Sequence, residues 1–452
     1  MDAVLMNSSF DRQMVLAAAT ETSNQAPLVL LGVILSLVVI YCASKLGAEC
    51  SNRLGLPPVL GELVGGVLVG VSALHLVVFP GEGMDGTHSL IMQFLQLTNG
   101  LSPESVNPTF SATSEVISVL SELGVIVLLF EIGLESNLSE LVKVGPQALV
   151  VATVGVAIPF LVGTVGAIAL FHLPVHSSHF AGAALTATSI GITSKVLSEL
   201  GQLSSTEGQI ILGAAIADDI LGIVILAVVA SLAKKGEVDV SNIAYLVVSA
   251  VVFTSIAIVF AKYFNTAFLA VANLFSTRGG LIMTAVVFAL IMAYIGAAIH
   301  LEAILGAFAA GLVLDETEKR EHLEELIEPI ADITVPIFFV TVGAKTNLGV
   351  LNPFIEANRE GLIIAIFLIT VAILGKVATG LAVFGYEKIN RLAIGVGMIP
   401  RGEVGLVFAG VGAASGILSD ALNAAIIMMV IITTFIAPPL LRVVFPNPDP
   451  QP

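Results

Sequence analysis

Asp218 and Asp219 stand side by side in an otherwise apolar run, ILGAAIADDILGIVILAVVASLAKK. Nothing charged separates the pair from Glu207 on one side or from Lys234 on the other. A carboxylate at the centre of a bilayer span costs roughly 2.5–3.5 kcal/mol on insertion scales, so two together require partners or a task. The chemistry open to them is to hold a cation, to carry a proton or to act as a buried base. Neighbouring helical residues point about 100° apart, so the two carboxylates cannot serve one partner. One can face a break in an adjacent span while the other turns to a different helix.

A hard monovalent cation takes oxygen ligands. Asp219, the hydroxyl of Thr188 and carbonyls freed where a helix unwinds supply that set, which makes Asp219 the candidate metal ligand. Lys376 lies mid-span in ITVAILGKVATGLAVFG, too far from either helix end for its stem to reach the headgroups easily. It needs a buried partner, and Asp218 is the obvious one. A cation on the carboxylate would deprive the lysine of that partner and favour release of its proton. Arg401, bracketed by Pro400 and Gly402, stays charged under all conditions and so cannot carry the transported proton. It is expected to anchor a helix break through a carboxylate or carbonyls, with Glu403 near it in sequence. Glu131 and Glu62 are expected to be solvated or packing residues, and Asp332 a charge at a helix N-terminus. His172, His176 and His179 have metal-like spacing, but Pro174 breaks their common face and a solvated turn is the better reading.

These residues must be positioned by membrane helices. The chain has 452 residues, 56% hydrophobic and 12% charged, with mean hydropathy +1.01. That balance describes an all-α polytopic membrane protein. Apolar stretches long enough to span fall near 27–48, 57–80, 114–134, 145–172, 178–199, 206–233, 241–263, 280–300, 302–316, 328–347, 360–385, 390–414 and 419–444, about 13 transmembrane helices. Residues 1–26 read as an exposed N-terminal tail, 27–445 as the membrane domain and 446–452 as a short C-terminal tail. With the N-terminus outside, eleven basic residues fall in inside loops and five outside, which favours a cytoplasmic C-terminus. The net charge of −16 argues against nucleic acid as a partner. Two cysteines, Cys42 and Cys50, imply neither a disulfide framework nor a zinc site.

Two spans carry helix-breaking composition. The fifth crowds Thr186, Thr188, Ser189, Gly191, Thr193 and Ser194 at its centre, and the twelfth holds Pro400-Arg401-Gly402. If spans 2–6 and 9–13 form two halves, each broken span is fourth in its half. That placement points to inverted repeats with a site at the midplane, although no sequence identity between the halves is visible.

At these residues the chain resembles the monovalent cation:proton antiporter-2 family, in its bacterial and cyanobacterial sodium/proton branch with a double aspartate. The resemblance is carried by RLGLPPVLGELVGGVLVG at 53–70, LGVIVLLFEIGLE at 123–135, ALTATSIGIT at 184–193, AIADDILG at 215–222, PIFFVTVGAKTNL at 336–348 and GMIPRGEVGLV at 397–407. It implies a homodimer with a dimerisation panel and a six-helix core carrying two crossed, broken helices that moves as an elevator. It implies Asp219 as the cation or proton carboxylate, Asp218 paired with Lys376, and Thr188 as a hydroxyl at the crossing, with Ser189, Pro400, Arg401 and Glu403 supporting the breaks. No cofactor is implied beyond the transported Na⁺ and H⁺. The membrane would be a plasma or inner membrane, or a cyanobacterial thylakoid. Potassium-efflux relatives carry Gln-Asp, and electroneutral relatives carry Asn-Asp with an acidic residue one turn earlier, where this chain has Ala214 and Ala215. Both differences imply electrogenic exchange.

Rival readings are weaker. A K⁺/H⁺ antiporter of the same fold shares every ligand. A sodium-coupled symporter of an organic anion needs more anion-binding groups near the breaks than Arg401 alone. An intramembrane aspartyl protease needs its two aspartates on different helices. A channel filter has no use for a mid-span lysine. The expected protein is therefore a transporter and not an enzyme.

Overall fold

A computed structural model describes residues 2–80, 84–235, 240–275, 279–315, 317–351, 356–414 and 416–445. Side chains of residues 1–25 and of a few others, Glu403 among them, lie outside the described residues. The helices are α1 (Asp2–Arg53), α2 (Pro58–Val69), α3 (Leu90–Asn99), α4 (Pro103–Glu135), α5 (Leu138–Phe171), α6 (Val175–Ala184), α7 (Ile190–Glu199) and α8 (Thr206–Lys235). They continue with α9 (Val240–Ala272), α10 (Gly280–Ala298), α11 (Ala303–Asp315), α12 (Arg320–Ala344), α13 (Glu356–Val377), α14 (Arg391–Gly397), α15 (Glu403–Ala414) and α16 (Asp420–Val444).

Hydrocarbon leaves no partner for an open backbone amide, so an apolar chain of this length resolves into helices. Among the described residues eight helices are long and apolar enough to cross a membrane, and three shorter apolar helices accompany them. With the two interrupted pairs α6–α7 and α14–α15, they account for the spans expected from hydropathy. The long connection after the second span holds α3, closed at its N-terminus by the Ser89 side chain and at its C-terminus by left-handed Gly100. The third span starts earlier than its apolar core suggests, because α4 begins at Pro103. Proline is tolerated in a first turn, where its missing N–H costs nothing.

The chain divides into two compact units. Residues 1–48, 62–123 and 336–347 form one, and residues 49–61, 124–335 and 348–452 form the other. In the first, α2 meets the end of α12 at Gly66 and Gly343, where an added Cβ on Gly66 would lie 2.9 Å from the Gly343 Cα. In the second, α4 meets α11 at Gly133 and Gly311, with a corresponding 2.9 Å approach. Glycine is required at both crossings because backbone faces backbone.

The two crossings reveal the repeat that sequence inspection missed. LGELVGG at 60–66 aligns with LGAFAAG at 305–311, and GLESNL at 133–138 with GAKTNL at 343–348. In each crossing the first helix of one half meets the second helix of the other. The identities are confined to the glycines that permit close approach and to the helix ends. The positions between them diverge although most of them are buried, which hides the pattern.

Within the second unit α5 packs along α8, and α13 packs between α5 and α16. A cluster of Phe180, Leu185, Leu368, Phe408, Leu422 and Met429 fills the space around the broken helices.

Candidate functional site

The two broken helices hold each other open. Residues 185–189 separate α6 from α7, and residues 398–402 separate α14 from α15. Pro400 has no N–H and disfavours helix at Ile399, so the second break is written into the chain. The first break relies on hydroxyls: the Thr186 hydroxyl donates to Ala183 O at 2.7 Å, beside the Thr186 amide, which reaches the same carbonyl at 3.0 Å. Across the breaks, Ser189 N donates to Pro400 O at 2.8 Å. The Thr188 hydroxyl donates to Met398 O at 3.2 Å and the Thr193 hydroxyl to Gly397 O at 3.1 Å. Gly402 is obligatory here, since a Cβ would approach the Ser189 hydroxyl oxygen to 2.7 Å. Two half-helix N-termini and two C-termini thus converge, and their partial charges meet in one low-dielectric region.

Arg401 is fully buried and donates through Nη1 to Ala187 O in the opposite break. Its Nε and Nη2 have no hydrogen-bond partner among the described residues. The Thr434 hydroxyl on α16 donates to Arg401 O at 2.5 Å. Arg401 therefore ties the second break to the first through a carbonyl, one of the two partner types its sequence setting suggested. The Glu403 side chain lies outside the described residues.

The adjacent carboxylates separate as helix geometry requires. Asp218 is fully buried and accepts from Lys376 Nζ at 2.8 Å, with both side chains wholly shielded from solvent. The other Asp218 oxygen has no hydrogen-bond partner among the described residues. Room for the lysine comes from Gly155 on α5, where a Cβ would sit 3.2 Å from Lys376 Nζ. Directly after Lys376 the helix tightens to a 3₁₀ turn at Ala378–Ala382, and the Thr379 hydroxyl donates to Lys376 O at 2.7 Å. An isolated buried ion is costly, and a hydrogen-bonded pair offsets part of that cost.

Asp219, 2% exposed, faces the other way. It lines a small cavity with Ala187, Thr188, Ser189 and Ile190 from the first break, Gly402 from the second, and Glu302 and Ile304 from the start of α11. The cavity offers about 10 Å³ to the centre of a water-sized occupant, room for roughly one such particle. Carboxylate, hydroxyl and backbone oxygens are all available there to a hard cation.

The remaining candidates fall elsewhere. Glu62 is buried and accepts from the Ser44 hydroxyl at 2.7 Å, a packing role. Glu131 lines a cavity of about 540 Å³ with Glu135, Lys195, Ser198, Glu321, Glu324, Glu325, Glu328 and Asp332. Asp332 is not a helix N-terminal charge: α12 starts at Arg320, so Asp332 lies within the helix on that acidic wall. His172 caps α5 in a left-handed conformation, His176 is exposed in the first turn of α6, and His179 stacks on Phe160 at 6.2 Å. Sequence reading missed Glu302, Gly155, Thr379 and Thr434. Glu302 carried a signal, since it is the only acidic or basic side chain between Arg278 and Asp315 apart from His300.

The family model for sodium/hydrogen exchangers, transmembrane, matches residues 24–445. The chain is 62% identical over 432 residues to the high-affinity Na(+)/H(+) antiporter NhaS3 of a Synechocystis strain, covering 95% of this chain and 94% of that protein. It is 30% identical to the Na(+)/H(+)-K(+) antiporter GerN of Bacillus cereus, covering 91% and 96%. Among solved structures, the sodium proton antiporter MjNhaP1 of Methanocaldococcus jannaschii superposes with a TM-score of 0.60 at 17% identity, covering 92% of this chain and 96% of the other. That last likeness concerns the fold.

Proposed function

The chain belongs to the sodium/hydrogen exchanger family, and from that premise we propose that it exchanges Na⁺ for H⁺ across a membrane, with Asp219 binding one or the other in alternation. The observation that carries this reading is the Asp219 cavity. A buried carboxylate, a threonine hydroxyl and unwound backbone share a space sized for a single small particle.

Charge bookkeeping extends the proposal to stoichiometry. With Asp218, Asp219, Lys376 and Arg401 all ionised, the buried cluster is neutral. A cation entering at Asp219 leaves it with one excess positive charge in a region where an unbalanced charge is costly. Arg401 cannot release a proton, whereas Lys376 can. The proton-loaded state carries protons on both Asp219 and Lys376 and so one excess positive charge. Cation binding expels both, two protons exchange for one Na⁺, and that charge is what the electrogenic cycle moves.

The crossed breaks move with their ligands as one body in this proposal, an elevator-like displacement supported by the hydrogen bonds that cross-link them. A homodimer, an outside N-terminus, a cytoplasmic C-terminus, and a plasma or thylakoid membrane complete the proposal. The basic-residue distribution supports the orientation.

The test is proton flux in proteoliposomes containing the purified protein and a pH-sensitive dye, driven by Na⁺, Li⁺ and K⁺ in turn. Na⁺ should drive proton movement that depends on membrane potential. Absence of proton flux with all three cations would overturn the proposal.

A further inference from the structure

Asp219 shares its cavity with a second acidic residue, Glu302. The two reach it from different parts of the chain: Asp219 from mid-α8, Glu302 from the short connection between α10 and α11. That connection is firmly built. His300 adopts a left-handed conformation, its ring meets Tyr245 edge-on at 6.1 Å, and Leu301 N donates to Gly296 O at 3.0 Å. Leu301 and Leu305 are buried against Ala250 and Phe253. Immediately beyond, Leu305 N donates to Glu302 O at 3.1 Å, so α11 winds directly from the glutamate. Glu302 is half-buried while Asp219 is almost fully shielded, so the glutamate is the more accessible of the two.

We infer that Glu302 is a second cation-facing carboxylate, which draws the monovalent cation into the cavity and hands it to Asp219. This rests on the reading of Asp219 as the exchange carboxylate. Two carboxylates facing one space too small for bulk water repel each other, and a cation between them removes that repulsion. A glutamate at the rim raises the local cation concentration through its field, and because it is fixed in a rigid connection the gain requires no rearrangement. Anions are repelled from the same entrance. Glu302 therefore bears on the affinity and the on-rate of the cation, while the charge-moving groups remain Asp219 and Lys376.

The experiment compares wild type, Glu302→Gln and Glu302→Asp in proteoliposomes at fixed pH, with Na⁺ titrated and N-methylglucamine chloride as inert salt. Loss of one nearby charge should raise the apparent KM for Na⁺ about tenfold in Glu302→Gln, with the maximal rate within about twofold of wild type. Glu302→Asp should recover most of the affinity. Added inert salt should raise KM in wild type and have a smaller effect in Glu302→Gln, because screening acts on the charge the variant lacks. A merely structural glutamate would instead lower the maximal rate in both variants and leave the salt response unchanged.

A second arm introduces the charge after folding. In a background with the exposed Cys42 and Cys50 replaced by serine, Glu302→Cys is modified with a sulfonatoethyl or a trimethylammonioethyl thiosulfonate. The anionic adduct should lower KM relative to unmodified cysteine, and the cationic adduct should raise it. Equal KM with both adducts, or wild-type KM in Glu302→Gln, would overturn the role of Glu302 while wild-type exchange leaves the assignment of Asp219 standing. Absence of Na⁺-driven flux in wild type would instead overturn the reading beneath it.

Discussion

Asp219→Asn abolishes cation-driven proton flux and leaves the protein folded. The amide keeps the size of the carboxylate but has no charge to exchange between a cation and a proton. The side chain is 2% exposed; the amide leaves the buried cluster with one excess positive charge, which Lys376 can shed as a proton, so the fold should hold. The check is exchange in proteoliposomes beside a thermal unfolding curve of the same preparation. Wild-type flux in a well-folded Asp219→Asn variant would remove Asp219 from the transport cycle.

Lys376→Ala should have the largest combined effect, on both stability and charge movement. The substitution strands Asp218 without its hydrogen-bonded cation in a fully buried setting. Breaking a buried ion pair from one side costs about 3–5 kcal/mol when the remaining charge persists. Asp218→Asn combined with Lys376→Ala should restore much of the lost stability, because no charge is then left unbalanced. In the single variant Asp218 can instead take up a proton, and the second proton of the cycle then has no carrier. Residual exchange should be electroneutral. Transient currents on solid-supported membranes measure this directly, and an undiminished current in Lys376→Ala would exclude the lysine from the coupling step.

Much of the site was legible because membrane burial makes charge expensive. In a soluble chain Asp218, Lys376 and Arg401 would be unremarked among many charges; within apolar spans each calls for a partner. The Asp218–Lys376 contact follows from that demand, and so do the two breaks, since Pro400 and the run of hydroxyls around Thr188 disrupt helical bonding locally. The direction of the Arg401 contact did not follow. Its acceptor is the carbonyl of Ala187, and a carbonyl acceptor leaves no mark in residue type.

Other features needed the three-dimensional arrangement. Gly155 is one glycine among 42, and only the path of Lys376 explains it. Thr434 reads as a helical residue bonding its own backbone until α16 is set against the second break. The repeat between halves was hidden because the side chains between its close-approach glycines differ from half to half, leaving Gly66, Gly133, Gly311 and Gly343 as its trace. Asp332 was misplaced because α12 extends beyond its apolar part: residues 320–328 are strongly acidic, yet they are helical.

The central claim is that one carboxylate serves both ions, and its most direct test is the pH dependence of cation affinity. Protonation of Asp219 must oppose Na⁺ binding, so affinity falls as pH falls. Each proton displaced by the cation adds a factor of about ten to the apparent KM per unit of acidification. KM should therefore rise at least about tenfold per unit while Asp219 is mostly protonated, and level off only once both Asp219 and Lys376 have lost their protons. The measurement is Na⁺-titrated exchange in proteoliposomes at several pH values, with the membrane potential clamped at zero. A steep acid limb ending in an alkaline plateau is the predicted result; a KM that stays constant from acid through alkaline pH would contradict a shared site.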